Sequence, residues 1–133
     1  MISARKVRLD GLSDAQLVDR FALLAFERRA AYIDGNIRRS NHLVDRLRET
    51  FEELAKRPGE RWRLLLPLLK HPHGGIRLYA ASVCLRRAPE PCIPVLRLIE
   101  SEDRSVDALD AWWTLKQAGY GERGDKLAVN PPR

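Results

Sequence analysis

Apolar side chains recur along this chain three or four residues apart, the period of a helix face, and nowhere alternate as a half-buried strand would require. At Ser13-Asp14-Ala15-Gln16 the serine can accept from the third helical amide while Gln16 reaches back to the serine N–H, with Leu12 and Leu17 at the staple positions. A helix is predicted from there through Leu17, Phe21, Leu24 and Ala25 to about Tyr32, where Asp34-Gly35-Asn36 supplies a turn. A second helix carries Leu43, Val44, Leu47, Phe51, Leu54 and Ala55 on one face and stops at Pro58-Gly59. A shorter third helix, about 60 to 69, holds Trp62, Leu65, Leu66 and Leu69, and Pro67 inside it predicts a bend. The fourth, about 75 to 87, is apolar on nearly every side, which predicts that it lies between neighbours as the most buried element. After Pro89-Glu90-Pro91, a fifth helix is expected over about 92 to 101 and a sixth over about 105 to 118. The chain therefore reads as all-α: a flexible segment 1–12, one helical domain 13–118 and a mostly irregular tail 119–133.

An internal repeat ties the later helices together. Pro67-Leu68-Leu69 matches Pro94-Val95-Leu96, and Ile76, Ala81 and Leu85 match Val106, Ala111 and Leu115 with the same spacings. The interval from proline to aliphatic is nine residues in the first copy and twelve in the second, a difference of about one helical turn. The stretch LLPLLKHPHGGIRLYAASVCL resembles a HEAT repeat, with LLP near a helix start, a proline turn, an aliphatic-arginine pair and a double alanine; CIPVLRLIESEDRSVDALDAWWTL is a second, more divergent copy. His71 stands where such repeats commonly have aspartate, and Asp107 where they have the arginine represented here by Arg77. Over most of its length the chain also resembles a family of small bacterial HEAT-like proteins known only as a domain of unknown function. The resemblance implies a short right-handed α-solenoid of the HEAT/armadillo kind. Its three antiparallel helix pairs would cover roughly 13 to 57, 60 to 87 and 92 to 118, stacked because no pair buries its apolar face alone.

Composition narrows the function classes. The formal charge is +6, and 19 of the 24 basic residues are arginine. The charge is unevenly spread, since residues 1–89 hold 18 basic and 10 acidic side chains against 6 and 8 in 90–133. Arginine excess with abundant alanine also follows from a GC-rich genome, so basicity alone does not point to nucleic acid. No run of about 18 apolar residues is present to span a membrane, and the first twelve residues lack the apolar core of a secretory signal. Two cysteines, Cys84 and Cys92, make neither a disulfide framework nor a zinc spacing. A cytoplasmic bacterial protein without a membrane partner is expected.

Candidate chemistry is sparse. His71 and His73 would need further converging ligands to hold a metal, and the lysine and hydroxyl of a P-loop are missing beside Gly74-Gly75, so these residues read as a polar turn. Cys84 reads as a small core hydrophobe. No nucleophile elbow, triad context or metalloprotease spacing occurs, and no cofactor, metal or catalytic residue is expected. Trp112 falls on the apolar arc of the sixth helix, whereas Trp113 falls at its edge as a possible contact residue.

The expected function is a noncatalytic interaction module for another protein, with a candidate binding surface of Arg38, Arg46, Arg77, Arg86, Arg87, Asp107 and Trp113. Arg77 and Asp107, equivalent in the repeat alignment, are expected to form an ion pair. The rival is a nucleic-acid-binding module with a basic face on the first two helix pairs. Arginines clustered on one face would favour that rival, and arginines ion-paired among Glu49, Glu52 and Glu53 would favour the protein module.

Overall fold

The computed structural model describes residues 8–102 and 106–120, and every regular element among them is helical. Packing divides the chain into two compact units, one up to Leu68 and the other from Leu69.

The first unit is built on α1 (Asp14–Ile33) and α2 (Ile37–Lys56), which pack against each other. The capping box forms as expected: Gln16 N–H donates to Ser13 Oγ at 3.1 Å and Ser13 N–H donates to Gln16 Oε1 at 2.8 Å, an arrangement worth about 1 kcal/mol. Gly35, at φ 79°, closes α1 through a reversal in which Gly35 N–H donates to Tyr32 O and Asn36 N–H to Ala31 O. Asn36 then caps α2, its Oδ1 accepting from Arg39 N–H at 3.1 Å. The inward face holds Leu17, Phe21, Leu24 and Ala25 of α1 against Leu43, Leu47 and Leu54 of α2, nearly all of them without solvent exposure. Thr50 is accommodated among them because its hydroxyl donates to Arg46 O at 2.8 Å.

The expected N-terminal segment 1–12 is described only from residue 8, and two expectations on helices are corrected in this region and the next. The N-terminal segment 1–12 contains a 3-10 turn, Leu9–Gly11, and residues 1–7 lie outside the described residues. The predicted third helix is a 3-10 helix, Arg61–Lys70, rather than a bent α-helix. An α-helical path through Pro67 would set its ring against the carbonyl of Arg63 and lose a hydrogen bond there. The tighter winding instead brings Trp62 and Leu65, three residues apart, onto one buried side. The chain turns into this element through Gly59 at φ 86° and Glu60 at φ 53°.

In the second unit α3 (Gly74–Cys84) packs on both α4 (Pro89–Glu102) and α5 (Val106–Gln117), and α4 packs on α5. No residue of α3 is exposed, and Ile76, Leu78, Ala80, Ala81 and Cys84 are buried, which matches its all-round apolar sequence. The fifth predicted helix begins three residues early, at Pro89. Prolines at 89 and 91 occupy the first turn, where backbone N–H groups have no helical acceptor in any case. α5 ends where Gly119, at φ 90°, lets Tyr120 N–H return to Leu115 O at 3.0 Å. Arg97 of α4 then donates to Tyr120 O at 3.0 Å. Beyond Tyr120 the expected tail lies outside the described residues.

Candidate interaction surfaces

Within the first unit, the expected surface arginines divide. Arg38 is exposed, at the start of α2. Arg46 is mostly covered, its side chain only 14% exposed and its Nη1 3.2 Å from Glu49 Oε1. It lies beside Arg20, which is buried, and burial together with the Arg46 charge holds the Arg20 guanidinium below its ordinary value while Glu49 opposes the shift. Arg46 thus belongs to an internal charge cluster. The other arginines of α2 and its end are similarly engaged: Arg39 with Glu27 at 3.5 Å, Arg48 with Asp45 at 3.2 Å, and Arg57 with Asp14 and Glu53 at 2.8 and 3.0 Å.

The first unit also exposes large apolar side chains that sequence reasoning did not assign to a surface. Leu23, Phe26 and Ile33 of α1 are 37, 49 and 64% exposed, and Ile37 at the start of α2 is 52% exposed. With exposed Ala30, the α1 residues fall at i, i+3, i+7 and i+10, one continuous stripe on the face opposite Leu17, Phe21 and Leu24. The signal was present as a second heptad-like register, 23-26-30-33, running beside the one that forms the core.

In the second unit Arg77 and Asp107 depart from expectation. Arg77 Nη1 donates to His71 O at 2.8 Å and Pro72 O at 3.0 Å, so the guanidinium folds back onto the turn that precedes its own helix. Asp107 is 1% exposed, on the same inward register as Ala111, Leu115 and Ala118, and is not part of a solvent-facing surface. Its place in the first turn of α5 favours a carboxylate through the helix dipole. The expected ion pair gives way to these separate placements.

The histidines serve the same turn. His71 Nδ1 accepts from His73 N–H at 3.0 Å, and His73 Nδ1 accepts from Ile76 N–H at 3.3 Å as the cap of α3. Among the described residues no group of three or more His, Cys, Asp or Glu side chains gathers to hold a metal ion. Burial, with Cys92 nearby, pushes the Cys84 thiol up to about 12, and burial pushes Cys92 to about 11, so neither is a thiolate near neutrality.

The exposed chemistry of the second unit centres on α5. Leu109 and Trp113, one turn apart, are 58 and 52% exposed, and Lys116 continues the same face. Trp112, expected in the core, is half-buried: the buried stripe of α5 is centred on Asp107 and Ala111, which leaves position 112 at its margin. Its ring lies 6.0 Å from that of Trp113 at 41°, with Lys116 Nζ 5.1 Å from its centroid. Arg86 and Arg87 are exposed, and Arg86 Nη2 approaches Gln117 O, one turn beyond Trp113, at 3.5 Å. Of the seven residues expected to form a surface, Arg86 and Trp113 are thus near one end of α5, while Arg46, Arg77 and Asp107 are structural.

The chain belongs to the family described as domain of unknown function DUF2019, which it matches over residues 15–118. It is similar, at 30% identity, to the protein RPA1889 from Rhodopseudomonas palustris CGA009, whose crystal structure superposes with a TM-score of 0.79 over 89% of this chain and 99% of that one. No curated protein matches the chain significantly. Among the described residues no helix is long and apolar enough to cross a membrane.

Proposed function

We propose that this chain is a noncatalytic protein-interaction module, a short HEAT-like α-solenoid that docks a partner protein on the outer face of α5. The observation that carries this reading is the exposed pair Leu109 and Trp113, held one turn apart on a rigid helix. A tryptophan presents a large apolar area at low entropic cost, and such residues dominate the energetics of protein interfaces. Lys116 and Gln117, both exposed, and Arg86 beyond them supply a polar rim of the kind that surrounds an apolar anchor.

The charge arrangement supports a protein partner over nucleic acid. A phosphate-binding face needs arginines free to replace counterions, whereas Arg39, Arg46, Arg48 and Arg57 are each within 3.5 Å of a carboxylate of their own unit. Affinity capture from nuclease-treated lysate of the source cells, with the wild type beside Trp113→Ala, tests the proposal. A partner retained by the wild type and lost from the variant is expected. Sub-micromolar binding to unrelated duplexes that persists at about 150 mM salt would overturn it in favour of the nucleic-acid module.

A further inference from the structure

We propose that the occupant of the α5 face is an acidic segment of another protein, an apolar anchor flanked by carboxylates, and that Lys116 and Arg86 are the cations that select it. The inference rests on the reading of α5 as a protein-docking face and adds the chemistry of what docks there.

Position is the first support. Leu109, Trp113 and Lys116 fall at i, i+4 and i+7, within about 60° of one another around the helix, so the ammonium stands on the same face as the exposed apolar pair. Gln117 is the other residue one turn beyond Trp113, and its carbonyl is where Arg86 Nη2 arrives at 3.5 Å. Trp113 is therefore followed, at the C-terminal end of α5, by one cation on each side. Asp110, the carboxylate of α5 nearest to Trp113 in sequence, is half-buried and stands one turn before it, at the end away from both cations.

The second support is that neither cation is neutralised within its own chain. Lys116 Nζ lies 5.1 Å from the centroid of Trp112, a contact through the ring face that leaves its donors available. Arg86 gives the Gln117 carbonyl one N–H of the five that a guanidinium carries. Both residues are exposed, and among the described residues neither has a carboxylate partner. Arg39, Arg46, Arg48, Arg57, Arg63 and Arg97, by contrast, each lie within 3.5 Å of a carboxylate of this chain. Arg86 also offsets the negative end of the α5 dipole, which would otherwise repel an approaching carboxylate.

The apolar pair decides which anion fits. A nucleic-acid backbone engages a line of cations, and two at one end of a helix would leave Leu109 facing phosphates and sugars. An acidic segment satisfies the whole face. An aliphatic or aromatic side chain covers Leu109 and Trp113, which stand about 6 Å apart along the axis, and carboxylates about one turn further on meet Lys116 and Arg86. Charges at the rim of an apolar contact act mainly on selectivity, by repelling the wrong partner.

Selection of phage-displayed random peptides of about 16 residues on the immobilised full chain, with depletion on Trp113→Ala, tests the inference. The peptides that require Trp113 should carry more Asp and Glu than Lys and Arg, beside an aliphatic or aromatic residue. They should bind Lys116→Glu with Arg86→Glu about tenfold more weakly, since two contacts turn from attraction to repulsion. Lys116→Glu alone, which leaves the contact of Arg86 with Gln117 intact, should weaken them about threefold. Selection on the double variant should return an excess of Lys and Arg instead. Trp113-dependent peptides that are neutral or basic, or acidic ones indifferent to both variants, would overturn the inference and leave α5 as a docking face. A set without any Trp113-dependent peptide would overturn the docking face and the inference with it. A single-stranded oligonucleotide of about 16 nucleotides that displaces the acidic peptides at about 150 mM salt would overturn it in favour of nucleic acid.

Discussion

Arg57 closes on Asp14 across 43 residues of sequence, its Nη1 2.8 Å from Asp14 Oδ1. The same guanidinium donates from Nε to Glu53 Oε2 at 3.0 Å and from Nη2 to Leu9 O at 3.1 Å, so one planar group joins the start of α1, the last turns of α2 and the 3-10 turn before them. The contact also fixes α1 and α2 as antiparallel. Asp14 and Glu53 together push the Arg57 guanidinium further above its ordinary value, the hydrogen bond to Asp14 contributing most.

Arg57→Ala is accordingly expected to lower the thermal midpoint, because among the described residues it leaves Glu53, 7% exposed, with Lys56 at 3.1 Å as its remaining ion-pair partner. Arg57→Lys should recover less than half of the loss, since one ammonium cannot reach three acceptors set in the plane of a guanidinium. Thermal denaturation by circular dichroism of the three proteins decides the point. Full recovery by lysine would show that charge alone, and not the fork, holds the helix ends together.

The two thiols predict an alkaline instability. In the unfolded chain they titrate near 9.0, while in the folded protein Cys84 and Cys92 are held up to about 12 and about 11. Below pH 9 both states keep the protons and the thiols add no pH dependence. Above it the unfolded chain releases protons that the folded one retains, so stability falls as pH rises toward the folded values. The expected loss is about 1 kcal/mol per thiol by pH ~10. Urea denaturation of the wild type and of Cys84→Ala at pH 8 and 10 isolates the effect, because lysines and tyrosines titrate alike in both. The stability advantage of the wild type should shrink between these pH values; an unchanged gap would contradict the burial of this thiol.

Ala81 is fully buried in α3, beside Ala80, also fully buried. Ala81→Leu adds three carbons where α3 meets its neighbours and is expected to cost about 1 to 3 kcal/mol. The urea midpoint should fall with an unchanged slope. A midpoint equal to that of the wild type would mean that the contact has room to spare.

Features encoded by local chemistry were legible in the sequence. The Ser13-Gln16 capping box, the turn at Gly35 and the absence of any exposed residue from α3 all follow from residue types at fixed offsets, and each is present. Features decided by which of two registers faces inward were not. On α1 both the 17-21-24 and the 23-26-30-33 registers are apolar, and periodicity alone does not reveal that only the first is covered. On α5 a modest rotation of the buried stripe carried Asp107 inward and moved Trp112 to the margin, because neighbouring positions on a helix differ by about 100°. The repeat alignment set Arg77 against Asp107 by spacing alone and said nothing of the nearer carbonyls of His71 and Pro72, to which Arg77 donates. Arg46 looked like a surface cation for a related reason, since its cover comes from an internal cluster with Arg20 and Glu49.

Site-specific photo-crosslinking in the source cells tests the central claim most directly. A photoreactive phenylalanine analogue placed at Leu109, on the exposed face of α5, should yield a discrete protein adduct that survives nuclease treatment, and the adduct should disappear when Trp113→Ala is added. The same analogue at exposed Arg48 of α2 should yield none of that product. No adduct at Leu109, or an equal one at both positions, would contradict the account of α5 as a specific protein-docking face.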